Sequence, residues 1–232
     1  MRQHRFYLDS LQMNAGEVVV SDERLLGQWQ RVLRYKLGDT LIVFGDGQEH
    51  VCKLVSIDKH SAVLHEQSVA PSILPKKKLT LAWSLLRRSN NELVVQKATE
   101  LGVSELQPVE AQRSEKHGVG DTQMERWQKI AMEAAEQCGR GDVPAIHPPT
   151  TTLALVEQCH SELVVAEQAS EGLTEHSSDD SRRAIVAIGP EGGWSTEERQ
   201  LFIEHQVPVI ELAEFTLRAE TAAITSVTYL LK

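Results

Sequence analysis

Two stretches near the end of the chain hold residue types and spacings that could do chemistry. In the first, Gly189, Pro190, Glu191, Gly192 and Gly193 follow the apolar run 184–188 and lead into Trp194-Ser195-Thr196-Glu197-Glu198. In the second, Leu217, Arg218, Ala219, Glu220, Thr221 and Ala222 follow the apolar run 207–212 after a short loop. A strand, a glycine-rich turn and a helix start bring free backbone N–H groups to the C-terminal edge of a sheet, where open α/β sheets hold their ligands. Ser195 and Glu198 have the spacing of a capping box, which fixes where the helix begins. The glycine stretch has neither the Lys-Ser/Thr of a phosphate loop nor the Gly-x-Gly-x-x-Gly of a dinucleotide site. It is either a tight turn that needs glycine backbone angles or the cradle of another ligand, and Glu191 inside the bend favours the cradle. Arg218 and Glu220 also admit a plain reading as a surface ion pair. His117, in a loop with Arg113, Lys116, Gly118 and Gly120, is a lesser catalytic candidate. No Ser/His/Asp or Cys/His set can be assembled from neighbouring residues.

The elements that must position these groups follow from periodicity and punctuation. Beyond residue 75, strands are expected at 79–85, 103–109, 144–147, 162–167, 184–188 and 207–212. Between them fall helices at 92–101, 121–138, 152–160 and after Ser195, with a last helix at about 219–231. Asn90 or Asn91 would cap the first of these, Gly102 would end it in the left-handed conformation, and Asp121 would cap the second. Residues 170–183 are polar and turn-rich, an exposed loop. Strands alternating with helices predict a mostly parallel sheet covered on both faces.

The first seventy residues follow another pattern. Short strands are expected at 4–8, 17–20, 40–44, 49–57 and 61–69, with a hairpin at Gly45-Asp46-Gly47. Ser21 would cap a helix carrying Leu25, Trp29, Val32 and Leu33 on one face. Such a set predicts a small β-barrel. Pro71-Ser72-Ile73-Leu74-Pro75 breaks the pattern, so the chain divides into domains 1–72 and 73–232.

Composition, 41% hydrophobic and 25% charged, is that of a soluble globular protein. No apolar run approaches the roughly 20 residues that span a bilayer. No apolar segment follows the charged start, so a secretory signal is not expected. Cys52, Cys138 and Cys159 are far apart with no Cys-x-x-Cys pair, which predicts reduced thiols, a cytoplasmic protein and no metal. The net charge of −9 is uneven: residues 73–90 carry Lys76, Lys77, Lys78, Arg87 and Arg88 without an acid. A local basic run of this kind is either a solvated linker or a phosphate contact.

Taken together, these stretches resemble a known family. Residues 188–195 (Ile-Gly-Pro-Glu-Gly-Gly-Trp-Ser) followed by Glu198, and residues 217–222 (Leu-Arg-Ala-Glu-Thr-Ala), are similar to two signatures of the small-subunit ribosomal RNA uridine N3-methyltransferases of the knotted SPOUT superfamily. His4-Arg5-Phe6-Tyr7, residues 96–103 and residues 126–138 agree with it as well. The resemblance implies an α/β fold: a PUA-like β-barrel that helps hold RNA, then a SPOUT trefoil-knot methyltransferase domain, in a homodimer. It implies S-adenosylmethionine as donor and N3 of a specific uridine in 16S ribosomal RNA as acceptor. Its other consequences are a donor pocket lined by Val165, Ala166, Glu167, Ile188, Gly189, Pro190, Gly192, Gly193, Leu212, Leu217, Thr221 and Ala222, and a catalytic group of Arg218, Glu220 and Glu191. In that group Arg218 would hold negative charge on the uracil, and one carboxylate would position it or take the proton. RNA would be held by Arg2, Arg5, Arg31, Arg34, Lys76, Lys77, Lys78, Arg87 and Arg88.

The chain departs from the family pattern in one place. Where the family usually has Gly-x-Arg and an aliphatic residue, residues 213–216 are Ala-Glu-Phe-Thr, so Phe215 stands in place of an expected cation. Two other readings remain open at this level. One is a non-catalytic RNA-binding module that kept the fold, and the other is a ribose 2′-O methyltransferase of the same superfamily, whose Asn-x-x-Arg signature is missing.

Overall fold

The β-branched and apolar stretches in 40–57 and 62–71 favour paired strands, and the computed structural model forms a sheet from them. It describes residues 3–115, 118–168 and 184–232; Arg2, Lys116, His117 and the 170–183 stretch lie outside the described residues. Contacts divide the chain into two units, 1–74 with 135–142, and 75–134 with 143–232. Residues 135–142, in the second domain by sequence, thus group with the first unit.

In the first unit, strands β1 (Arg5–Tyr7), β2 (Met13–Asn14) and β3 (Glu17–Val20) precede helix α1 (Glu23–Gly27). Strands β4 (Thr40–Gly45), β5 (Gln48–Ile57) and β6 (Ala62–Pro71) follow. Among the described residues the sheet runs β1-β4-β5-β6-β3-β2, antiparallel except at β1–β4. Asp46 and Gly47 both have positive φ, 51° and 76°, the turn that matches the twist of a tight hairpin. Asp22 rather than Ser21 caps α1, its carboxylate accepting from the Arg24 and Leu25 N–H groups. The helix continues as a π-helical turn, Gln28–Val32, and the wider period changes which residues face inward. Trp29 is fully buried beside Leu25, while Val32, expected on the same face, is 72% exposed.

Arg5 is part of this unit's framework. Its guanidinium lies over the Phe44 ring, pairs with Glu49 and donates to the carbonyls of Ala135 and Arg140. The side chain is 9% exposed, so Arg5 is a packing and hydrogen-bonding residue and does not present itself to RNA.

The second unit contains β7 (Thr80–Ser84), α2 (Arg88–Leu101), β8 (Glu105–Glu110), α3 (Asp121–Cys138, whose last turn groups with the first unit), β9 (Ala145–Ile146) and β10 (Thr150–Thr151). It continues with α4 (Thr152–Cys159), β11 (Leu163–Ala166), β12 (Ile185–Ile188), α5 (Thr196–Glu204), β13 (Val209–Ile210) and α6 (Ala219–Leu231). Its strands pair in parallel in the order β10-β8-β7-β12-β11-β13, with β9 also on β8. The two-residue period of a strand sends Leu81, Trp83, Val164, Val186 and Ile188 to one face, against residues of α2, α3 and α6. Ala82, Leu163, Val165 and Ala187 go to the other, against Leu155 and Val156 of α4 and Phe202 of α5. Each buried Val, Leu, Ile or Phe among these contributes about 1.5–3 kcal/mol before chain entropy is set against it.

Helix α2 starts at Arg88, earlier than the asparagines predict, because Asn91 is used elsewhere. Its amide oxygen accepts from Trp83 Nε1 at 2.9 Å and Leu86 N at 3.0 Å, and its nitrogen donates to Leu86 O at 2.7 Å. The buried amide thus ties the end of β7 to the helix. Gly102 ends α2 at φ 99°, as its type predicts. All three cysteines are free, and Cys138 is exposed. Among the described residues there is no group of His, Cys, Asp and Glu able to hold a metal, and no helix is long and apolar enough to cross a membrane.

Candidate active site

The parallel register sets Ala166 beside both Ile188 and Ile210, so β11, β12 and β13 end at one level. The loops leaving those strand ends surround a cavity of about 880 Å³. Ala166, Glu167 and Gln168 come from the first loop, 188–194 from the second, and Ile210, Leu212, Ala213 and 215–220 with Ala222 from the third. Arg87 and Asn90, at the start of α2, and Arg113 and Glu115, after β8, complete the wall.

The glycine turn is built by close contacts. A Cβ on Gly189 would stand 3.1–3.3 Å from the Trp194 indole, which is itself buried edge-on against Phe202. Gly193, at φ 66°, donates its N–H to Pro190 O at 2.8 Å and closes the turn. Arg113 Nη1 donates to Gly192 O at 2.9 Å.

Ser195 and Glu198 then form the expected capping box. The Glu198 carboxylate, 4% exposed, also accepts from Gln112 N at 3.0 Å and Thr152 Oγ1 at 2.7 Å. One buried acid thereby fixes the exit of the glycine turn to the loop after β8 and to α4. Sequence spacing revealed its capping role, but no local pattern pointed to the other two partners. The neighbouring Glu197 carboxyl is held below its ordinary value by hydrogen bonds from its own N–H and the Ser195 hydroxyl.

Most of the residues assigned to a site by sequence meet here. Glu191, Arg218 and Glu220 stand on the wall with Ala166, Glu167, Ile188, Gly189, Pro190, Gly192, Gly193, Leu212, Leu217 and Ala222. Arg218 caps α6 by backbone alone, and its exposed guanidinium makes no hydrogen bond or ion pair with another described residue. Glu167, by contrast, is neutralised by Arg199 through contacts of 3.2 and 3.3 Å. Val165 and Thr221 do not reach the cavity. Strand alternation turns Val165 into the core on the α4–α5 face, and the helical rotation of α6 carries Thr221 to solvent. Among residues expected to hold RNA, Arg31, Arg34, Lys76, Lys77, Lys78, Arg87 and Arg88 are exposed, and Arg88 lies 3.5 Å from Glu92. The wall also includes Phe215 and Thr216, which the sequence reading did not place in a site.

Comparison with known proteins places the chain in a family. Residues 74–231, which hold every wall residue, match the family model of the RNA methyltransferase domain. The chain is 32% identical over 163 residues to ribosomal RNA small subunit methyltransferase E of Mesomycoplasma hyopneumoniae, covering 68% of this chain and 71% of that one. The chain belongs to the ribosomal RNA small subunit methyltransferase E family. Two solved structures extend the likeness over the whole length. A methyltransferase E from Neisseria gonorrhoeae, bound to S-adenosylmethionine, has a TM-score of 0.85 at 26% identity and covers 98% of this chain and 96% of its own. A protein from Legionella pneumophila, also with S-adenosylmethionine bound, has a TM-score of 0.85 at 28% identity, with 99% and 97% covered.

Proposed function

We propose that this chain transfers the methyl group of S-adenosylmethionine to N3 of a specific uridine in 16S ribosomal RNA. The observation that carries the reading is the pairing, in one cavity, of a glycine-lined turn and a small apolar slot with an uncompensated arginine. Ile188, Ile210, Leu212, Leu217, Ala219 and Ala222 offer an apolar slot to an adenine ring, and the turn at 189–193 lets backbone approach the ligand closely. A cavity of about 880 Å³ is of the size that takes such a molecule. When bound, the donor supplies an electrophilic sulfonium methyl, so orientation is the main task left to the protein.

Uracil N3 must lose its proton as it forms the bond to the methyl carbon. Arg218 is free to hold the negative charge that develops on the uracil carbonyl oxygens. Glu191 and Glu220, on the same wall, are the groups to take the proton or orient Arg218. Arg31, Arg34, the three lysines 76–78, Arg87, Arg88 and Arg2 would contact phosphates.

The wider reading is a PUA-like barrel at 1–72 and a trefoil-knotted domain at 73–232, working as a cytoplasmic homodimer. The mostly antiparallel six-stranded sheet of the first unit supports the barrel. For the knot, β13 lies outside β11 at the sheet edge, yet α6, which follows it, packs back on β12, β7 and α2. That return from the sheet edge to its centre is what supports the knot, which would need the last segment to pass through an earlier loop.

The test is Arg218→Ala, assayed by mass mapping of modified uridines in unmodified small subunits and by calorimetry with the donor. Methylation should fall by about 100-fold or more while donor affinity stays within about threefold. Activity surviving within a few-fold would remove Arg218 from the chemistry, and a wild-type chain that binds no donor would sink the methyltransferase reading.

A further inference from the structure

Phe215 is 76% exposed, yet it lines the same cavity as Arg218. The other aromatic residue on the wall, Trp194, is 1% exposed and packed against Phe202. The apolar slot is deep, with Ile188 at 2% and Ile210 at 4% exposed, so a ring left in water belongs to the cavity mouth. It sits in the loop between β13 and α6, three residues before the free guanidinium of Arg218.

The acceptor chemistry says what such a ring is for. N3 lies on the pairing edge of uracil, so a base methylated there must be unpaired and presented singly to the cavity. A base taken from its stack loses both faces of contact, and enzymes of this kind replace them with aromatic side chains. We propose that Phe215 is a substrate-positioning residue that stacks on the acceptor base at the cavity mouth. The base face would rest on the ring while its edge turns toward Arg218. This assignment rests on the methyltransferase reading above and adds to it the residue that selects an unpaired base. It also gives a role to the aromatic residue standing where the family pattern has a cation.

The experiment compares wild type, F215A and F215W with in vitro transcribed small-subunit ribosomal RNA. Methyl-transfer kinetics, RNA affinity without donor, donor calorimetry and sedimentation are measured for each. F215A should raise KM and the RNA Kd by roughly 5- to 100-fold, the worth of one stacked base. Its kcat and donor affinity should stay within about twofold, and F215W should restore KM. An unchanged KM and RNA Kd would overturn the proposal. So would an equal loss of donor affinity, which would make Phe215 part of the donor wall. A shift of F215A to a smaller species by sedimentation would also overturn it, because the ring would then be covered by a second copy of the chain. If wild type binds no donor and transfers no methyl group to unmodified small subunits either, but F215A still weakens RNA binding and F215W restores it, the methyltransferase reading fails while the stacking contact stands.

Discussion

At the level of single residues, the glycine turn shows how little room the site leaves. Gly189 is not held at positive φ, so alanine there meets no backbone strain, and the indole of Trp194 is the obstacle. That ring is wedged against Phe202 and can give only by disturbing its own packing. Gly189→Ala should therefore destabilise the protein by about 1–3 kcal/mol. It should also weaken donor binding, roughly tenfold for the 1.4 kcal/mol that a displaced turn would forfeit. Adding Trp194→Phe, a smaller ring, should recover part of both losses in thermal melts and donor calorimetry. A double variant no better than the single one would show that the indole contact is not the cause. Residue types had already marked Glu191, Arg218 and the glycines as a set. They could not show that Arg5, grouped with the cations for RNA, is spent on Glu49, Phe44 and two carbonyls. Nor could they show that Glu198 reaches Gln112 and Thr152. A charge in a sequence does not reveal whether the fold has already given it a partner.

At the level of elements, α2 and α3 are joined by one acid. Arg126 donates to both Glu92 oxygens at 2.5 and 2.7 Å, and Arg88 lies 3.5 Å away. The Arg126 hydrogen bonds, more than any other cause, hold the Glu92 carboxyl below its ordinary value. A carboxyl depressed in the folded state contributes stability above its unfolded pKa and loses it as pH falls through the folded one. Glu92→Gln should therefore melt below wild type at neutral pH by a constant margin. The gap should narrow from about pH 5 downward and close in acid below the usual carboxylate range. A gap that persists unchanged into strong acid would assign the effect to packing. Periodicity made these elements legible, since strand alternation and helix spacing are local signals. Their boundaries were less so: the apolar run 207–212 pairs only at Val209–Ile210, and the π-helical turn moves Val32 outward. Asn91 looks like a cap until Trp83 of β7 and the Leu86 backbone supply it with better partners.

At the level of the whole molecule, strand order and charge distribution decide function, and only the second is visible in the sequence. Nothing local says that β13 lies beyond β11, yet that placement brings the third loop to the first two. Charge is different, because a run such as Lys76-Lys77-Lys78 keeps its meaning wherever it folds, provided it stays exposed, and here it does. The chain carries a net −9, so its overall field repels RNA and binding must come from local contacts. Each phosphate neutralised by a lysine releases condensed counterions and steepens the salt dependence, by about 0.7 in log–log slope for single strands. Replacing all three lysines with alanine should therefore make the slope of RNA affinity against salt shallower by about 2. The loss should be largest at low salt and shrink as salt rises, with donor affinity unchanged, because the run lines no part of the cavity. Parallel salt plots for variant and wild type would mean that the run touches no phosphate. Binding would then rest on Arg87, Arg88 and the exposed arginines of the first unit, and charge reversal at Arg87 and Arg88 would carry the steeper loss.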